Sequence, residues 1–269
     1  MRPFKLTIAY DGTDYAGWQV QPGRPTIQGH LQQALLSLTG EAIAVVGSGR
    51  TDAGVHAWAQ VASCTLRHWS GTAKNLADAI NTKLPDTIAV THAIDAPAGF
   101  HAIRDAVSKR YRYQIRIGGG RNAFDHRYRW LIRHELDLAS MQLATAKIIG
   151  EHDFASFQAA GAPRQSTVRH VRDCLWKRDT NIEWGTPPSS VALWSLEIEA
   201  NGFLYNMVRN IVGTLIEVGR GKYPPDWIEE VLAARNRDVA GPTAPAHGLF
   251  LQVVDYFPFD SPPKGPTPF

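Results

Sequence analysis

The sequence predicts an α+β fold built from two related halves with antiparallel sheets. Three observations support this. Residues 28–38 place Leu31, Ala34, Leu35 and Leu38 at i, i+3, i+4 and i+7, the spacing of an amphipathic helix. Residues 109–117 alternate strictly, with Tyr111, Tyr113, Ile115 and Ile117 on one face and Arg110, Arg112 and Arg116 on the other, as a strand requires. Helical and strand periods then follow one another in a β-α-β-β-α-β order that recurs along the 269 residues.

In the first half, Phe4 to Tyr10 reads as a strand closed by the turn Asp11-Gly12. The helix 28–38 follows, then short strands at Ile43–Val46 and Trp58–Cys64, a helix over Ala73–Lys83 stopped by Pro85, and a strand over Thr87–Ile94. The second half opens with the strand 109–117, turns at Gly118-Gly119-Gly120, and offers Tyr128–Arg133 as a partner strand. A helix over Leu138–Ile149 has Asp137 as its N-cap, and strands are expected near Val168–Trp176 and Val191–Ala200. A long helix over Phe203–Val218, a shorter one capped by Asp226 and running to Ala234, and a strand over Leu249–Phe257 complete the order. Each half matches the split βαβ, or ferredoxin-like, arrangement (βαββαβ), with a boundary dividing 1–105 from 106–269. Helices would cover one face of each sheet and leave the other for a ligand. The Pro-rich stretch Phe257–Phe269 is expected to be peripheral.

The net charge of +3 is mild, but its distribution is uneven. Between His101 and Arg133 lie nine basic residues against Asp105 and Asp125, a balance of +7. Arg164 to Arg178 adds a balance of +4. Clusters of this kind suit either a solvated face or a polyanion. Interleaving with Tyr111, Tyr113, Tyr128 and Trp130 fits phosphate contacts combined with base stacking. Cys64 and Cys174 lack ligand spacing and read as reduced thiols. No apolar run approaches the roughly 18 residues of a membrane span, and no secretory h-region opens the chain, so a cytoplasmic protein without membrane association is expected.

The segment Gly49-Arg50-Thr51-Asp52-Ala53-Gly54-Val55-His56 presents an arginine and a carboxylate on a glycine-flanked loop between two strands. As an isolated stretch it reads equally as a polar turn in which Asp52 bonds its own backbone. The other glycine and histidine patterns fail. Asp52 stands where a dinucleotide fingerprint needs its third glycine, Tyr223 follows Gly221-Lys222 where a phosphate loop needs Ser or Thr, and Leu138 replaces the second histidine of a zinc helix.

The octapeptide GRTDAGVH resembles the catalytic-loop motif of the tRNA pseudouridine synthase A family at every position. The resemblance extends through Tyr10-Asp11-Gly12, Gly17-Trp18-Gln19, Phe100-His101-Ala102, Lys109 to Tyr113, Gly150 to Phe154, Asn206 to Gly213 and Ala246 to Leu249. At Ile103-Arg104-Asp105 the pattern departs from the expected Arg-Phe-Ser, which leaves Arg104 outside the site. The resemblance implies the pseudouridine synthase fold and a homodimer. It also implies a tRNA substrate modified in the anticodon arm, at positions 38 to 40 in standard tRNA numbering. Asp52 would be the essential carboxylate, and Arg209 its guanidinium partner. Tyr111 would be the tyrosine that stacks on the uracil, and Arg50 the side chain that fills the space left by the extruded base. His56 would either hold the RNA or satisfy the loop. The reaction is an isomerisation, so no metal, nucleotide or other cofactor is implied. A non-catalytic RNA-binding module on the same sheet would bind tRNA without isomerising it.

Overall fold

The computed structural model describes residues 1–161, 165–180 and 190–256. Ten strands are present among these residues: β1 (Arg2–Tyr10), β2 (Val46–Gly47), β3 (His56–Leu66), β4 (Ile88–Asp95), β5 (Ala106–Ile117), β6 (Trp130–Ile132), β7 (Gly150–Asp153), β8 (Val168–Arg178), β9 (Ala192–Ala200) and β10 (Leu249–Tyr256). Five α-helices accompany them: α1 (Ile27–Thr39), α2 (Ala73–Asn81), α3 (Leu138–Ala146), α4 (Met207–Gly219) and α5 (Trp227–Ala234). The fold is therefore mixed α+β. It divides into two compact units. The first holds Met1–Ala53, Ala57–Lys109 and the chain from Leu251, and the second holds Gly54–His56 and Arg110–Phe250.

In the first unit the strands run in the order β4-β1-β3-β10, with β2 on β3. β1 is antiparallel to both neighbours, and its period of two puts Phe4, Leu6 and Ile8 on one face, all fully buried. Opposite them in register stand Cys64, Ala62 and Gln60. Leu31 and Leu35 of α1 and Leu76 and Ile80 of α2 supply further fully buried apolar side chains. Helix α1 begins where the Thr26 hydroxyl accepts from the Gly29 N–H and ends at Gly40 in the left-handed region. Helix α2 opens on a capping box between Thr72 and Asn75. The strand expected over Ile43–Val46 shrinks to Val46–Gly47. Ile43 and Val45 are buried as the alternation predicts, but the Gln28 amide takes the Val45 carbonyl at 2.8 Å, in place of a ladder partner.

In the second unit the order is β5-β9-β8-β7, with β6 on β5. Cys174 and Trp176 of β8 stand opposite Ile198 and Leu196 of β9, all buried. Met141 of α3 and Ile211 and Leu215 of α4 are fully buried, with α3 packed on α4 and on β8. Several expectations change here. β6 pairs with β5 as anticipated, but in parallel, because the connection Gly118–Arg129 carries the chain back to Ile115, and Trp130–Ile132 then runs beside Ile115–Ile117 in the same direction. A parallel pair needs a crossover of roughly a dozen residues, and this connection provides one. β7 was not anticipated as a strand, although its four residues pair along β8. Helix α4 starts at Met207 and not at Phe203, since Asn206 adopts φ 59° and breaks the helical path. Asp226 stands at the start of α5 without capping it; its carboxylate turns 2.9 Å from Lys147 Nζ instead.

Four of the nine basic residues of the run, Arg110, Arg112, Arg116 and Arg129, face carboxylates within this unit. Arg110 meets Asp173, Glu197 and Glu199 at 3.3, 3.4 and 2.6 Å, and Arg112 meets Asp179 at 2.5 Å. Arg116 meets Asp125 at 3.0 Å, and Arg129 meets Asp179 at 2.7 Å. In the second run, Arg172 and Lys177 lie 3.6 and 2.7 Å from Glu199 and Glu197. Arg164 and the stretch Phe257–Phe269 lie outside the described residues. Cys64 and Cys174 are both free and buried, and burial pushes the Cys64 thiol up to about 12. Among the described residues no helix is long and apolar enough to cross a membrane.

Helix α4 owes its position to Gly213. A Cβ there would lie 1.6 Å from the Pro242 carbonyl oxygen, so the 241–244 segment can approach only a glycine. Intrinsic propensity alone would make Gly213→Ala stabilising by about 1 kcal/mol. The expected result is a loss of several kcal/mol from steric clash, read from the midpoint of urea unfolding. A midpoint raised by the substitution would show that the approach is not tight.

Candidate active site

The loop Gly49–Ala53 connects β2 to β3 in the first unit. Its entry is fixed by four hydrogen bonds. The Ser48 N–H donates to Val61 O at 2.7 Å, and the Ser48 hydroxyl donates to Gln60 Oε1 at 2.6 Å. The Gln60 amide donates to Gly49 O at 3.0 Å, and Lys109 Nζ donates to Ser48 O at 2.7 Å. Gly49 has no Cβ, and one built there would come within 2.9 Å of that ammonium.

The next residue but one, Thr51, is held through backbone and side chain. Its carbonyl accepts from the Trp18 N–H at 3.0 Å, and its hydroxyl lies 2.7 Å from the Tyr10 hydroxyl. Gly17 has φ +96° and runs against the loop; a Cβ there would sit 2.6 Å from Thr51 O and 3.1 Å from the Asp52 carbonyl carbon. Both the conformation and the clearance demand glycine. The Trp18 indole covers Gly47 so closely that no side chain fits there either. Burial pushes the Tyr10 phenol well above its usual range, so it serves as a neutral hydroxyl. Asp52, half-buried, thus follows a residue whose backbone is fixed from a separate strand and turn. Arg50, two positions earlier, is exposed. Arg104 is occupied locally, 2.9 Å from Asp105 and 2.6 Å from Gly99 O.

The remaining residues of interest belong to the second unit. Tyr111 of β5 is nearly buried, with Phe203 edge-on at 5.0 Å between ring centroids. Two residues on, Tyr113 is wholly enclosed. Its hydroxyl donates to Pro245 O at 2.8 Å, and its ring occupies the space above Gly248. Arg209 is half-buried on α4, donating from Nε to Ala244 O at 2.7 Å and from Nη1 to Asn206 Oδ1 at 2.9 Å. These two neutral acceptors fix the guanidinium plane. The His56 ring is fully buried, stacked at 4.6 Å on Phe250, edge-on to Tyr128 at 5.2 Å, and 3.0 Å from Arg127 O through Nε2. These protein contacts fit the reading in which His56 satisfies the loop. Burial lowers the affinity of His247 for a proton, and the positive charges of His126 and Arg209 add to this, while a bond to the Arg129 backbone opposes it.

With this geometry in place, the comparisons with known proteins are decisive. The sequence matches a family model described as tRNA pseudouridine synthase over residues 6–103 and 144–257, more than half of the chain. The chain belongs to the tRNA pseudouridine synthase family. It is 42% identical over 260 residues to a tRNA pseudouridine synthase A of Bacillus pumilus, covering 94% of this chain and 98% of that one. A tRNA pseudouridine synthase A of Moorella thermoacetica is 44% identical over 254 residues, covering 94% and 98%. One from Halalkalibacterium halodurans is 41% identical, covering 93% and 90%. The two matched segments of the family model include Asp52 and Arg209, and Tyr111 lies in the interval between them.

Some participants in the loop's scaffold were legible only as fragments of a motif. Tyr10, Gly17 and Trp18 belong to short sequence matches whose task becomes visible once they are seen clasping Thr51. Ser48 and Gln60 gave no signal of their own, and Lys109 stood in a matched run that did not show it bonding a main-chain carbonyl.

The hydroxyl clasp can be tested directly. Tyr10→Phe keeps the ring and removes the bond to Thr51, a change worth about 1 kcal/mol locally. Hydrogen exchange of the Trp18 amide, which donates to Thr51, should quicken about fivefold. Unchanged protection would mean that the hydroxyl does not hold the loop.

Proposed function

We propose that the chain isomerises uridine to pseudouridine in the anticodon arm of tRNA, at positions 38 to 40, with Asp52 as the essential carboxylate. Membership of the family makes it an isomerase that forms pseudouridine in tRNA. The observation that carries the finer reading is the clasped loop. Asp52 stands within the complete octapeptide Gly49–His56, directly after a residue that Tyr10, Gly17 and Trp18 fix in place. A carboxylate that must reach one atom of a ribose or base needs that preorganisation.

In the reaction the bond from uracil N1 to ribose C1′ breaks, the base turns, and C5 bonds to C1′. The hydrogen on C5 leaves as a proton and N1 takes one up, so no electrons are gained or lost. Asp52 supplies the ionised group set against ribose or base. Arg209, its guanidinium plane held by Ala244 and Asn206, has the task of favouring that ionised form. Tyr111 offers a ring to the extruded uracil, and Phe203 at its edge limits how that ring can turn. Arg50, exposed beside the loop, replaces the base in the stack. His56 supports the loop from within. The wider reading takes the chain as two ferredoxin-like halves, 1–105 and 106–269, working as a homodimer in the cytoplasm.

The test is tritium release from tRNA labelled at uridine C5, with tRNA binding measured in parallel. Wild type is expected to release tritium, while Asp52→Asn binds tRNA but releases none. Binding by both proteins without release would support the RNA-binding module and remove the catalytic reading.

A further inference from the structure

The connection Gly118–Arg129 contains a turn whose construction goes beyond joining two strands. At its tip Phe124 is 71% exposed, more than any other large apolar side chain among the described residues except the terminal Met1. The turn beneath it is well tied. The Phe124 N–H donates to Asn122 Oδ1 at 2.8 Å, and the His126 N–H donates to Asn122 O at 3.2 Å. Asp125 O accepts from the Tyr128 and Arg129 N–H groups at 2.8 and 3.0 Å. The phenyl ring is therefore held out on a fixed support.

The charges are sorted as well. Asp125, the acid of the turn, points inward and is buried 3.0 Å from Arg116, itself buried. Arg121 and Arg127 are exposed on either side of Phe124 in the chain, together with His126. The rear of the turn bonds through Arg127 O to His56, four residues after Asp52 in the chain. An exposed aromatic ring flanked by cations fits an unpaired nucleobase lying between phosphates, because stacking needs only a free π-face and the cations meet the backbone.

We propose that this turn is an RNA-contact element, in which Phe124 stacks on an unpaired base of the bound tRNA while Arg121 and Arg127 meet the adjoining phosphates. The base is a different one from the uridine assigned to Tyr111. This rests on the reading of tRNA as substrate. Because the contact is made by stacking, it distinguishes unpaired bases from duplex, whereas the arginines respond to any phosphate backbone.

The experiment measures dissociation constants of wild type, Phe124→Ala, Phe124→Trp and Arg121→Ala for tRNA and for a fully paired RNA duplex, at several salt concentrations. Tritium release by wild type is followed alongside. Phe124→Ala should weaken tRNA binding about tenfold and leave duplex binding unaltered, and Phe124→Trp should restore the affinity. Arg121→Ala should weaken both and reduce the salt slope by about one. The proposal is overturned if Phe124→Ala binds tRNA as wild type does, or loses equally on the duplex. It is also overturned if tRNA affinity is kept while the sedimentation coefficient changes, since the ring would then meet protein. Failure of wild type to bind tRNA or release tritium removes the functional reading itself, whereas an active wild type with an indifferent Phe124→Ala removes this inference alone.

Discussion

The loop that carries Asp52 depends on the approach of the Gly17 backbone to Thr51. Between the ends of β2 and β3 the chain leaves the ladder, so residues 49–53 are held by contacts from outside it. Gly17, at φ +96°, comes close enough for the adjacent Trp18 N–H to reach Thr51 O at 3.0 Å. That approach also lets the Trp18 ring lie over Gly47, and it leaves the Thr51 hydroxyl against Tyr10. Any side chain at position 17 would separate the two segments and release all three contacts together. The glycines at 17 and 47 therefore act as clearances, and their lack of a Cβ matters more than their flexibility.

The electrostatics of the second unit invert the first impression given by the sequence. A run with a balance of +7 suggests a cationic surface, yet Arg110, Arg112, Arg116 and Arg129 all face carboxylates from β8, β9 and the turns. Asp179 is 3% exposed and receives both Arg112 and Arg129, and a carboxylate buried to that degree requires such pairing. These pairs fix the register of neighbouring strands and the start of the β5–β6 connection. Arg121 and Arg127 are exposed on that connection, whose acid, Asp125, is buried against Arg116. Net charge along a sequence is therefore a poor guide to where the surface presents cations.

The regular elements were legible because their periodicity reflects burial directly. Leu31 and Leu35, or Tyr113 and Ile115, are inside for the reason their spacing suggests. What failed was information that does not reside in periodicity. Ile43 and Val45 alternate in burial, yet a glutamine from α1 takes the place of a strand. The direction of β6 depends on the path of the connection before it, and no local pattern in Trp130–Ile132 encodes that. β7 is four residues long with none of them buried, too short and too polar for alternation to register. Asp226 has the identity of a cap, but Lys147, distant in sequence, captures its carboxylate. For the site, the octapeptide marked the loop, and the short matches held Tyr10, Gly17, Trp18 and Lys109 without showing what they bond. Lys109 and Gln60 act on main-chain carbonyls, which any sequence would present.

The length of the octapeptide also has a structural reason. Its early residues, Gly49 and Thr51, are bonded to Gln60, Trp18 and Tyr10 in the first unit. Its last residue, His56, is enclosed in the second unit by Phe250, Tyr128 and Arg127 O. The partners at the two ends of the motif are unrelated, and Asp52 lies between them in the chain. Gly54 at φ +77° turns the chain between them, where a residue with a Cβ would resist. His56, fully buried, closes the motif against the protein's own aromatic rings and a main-chain carbonyl.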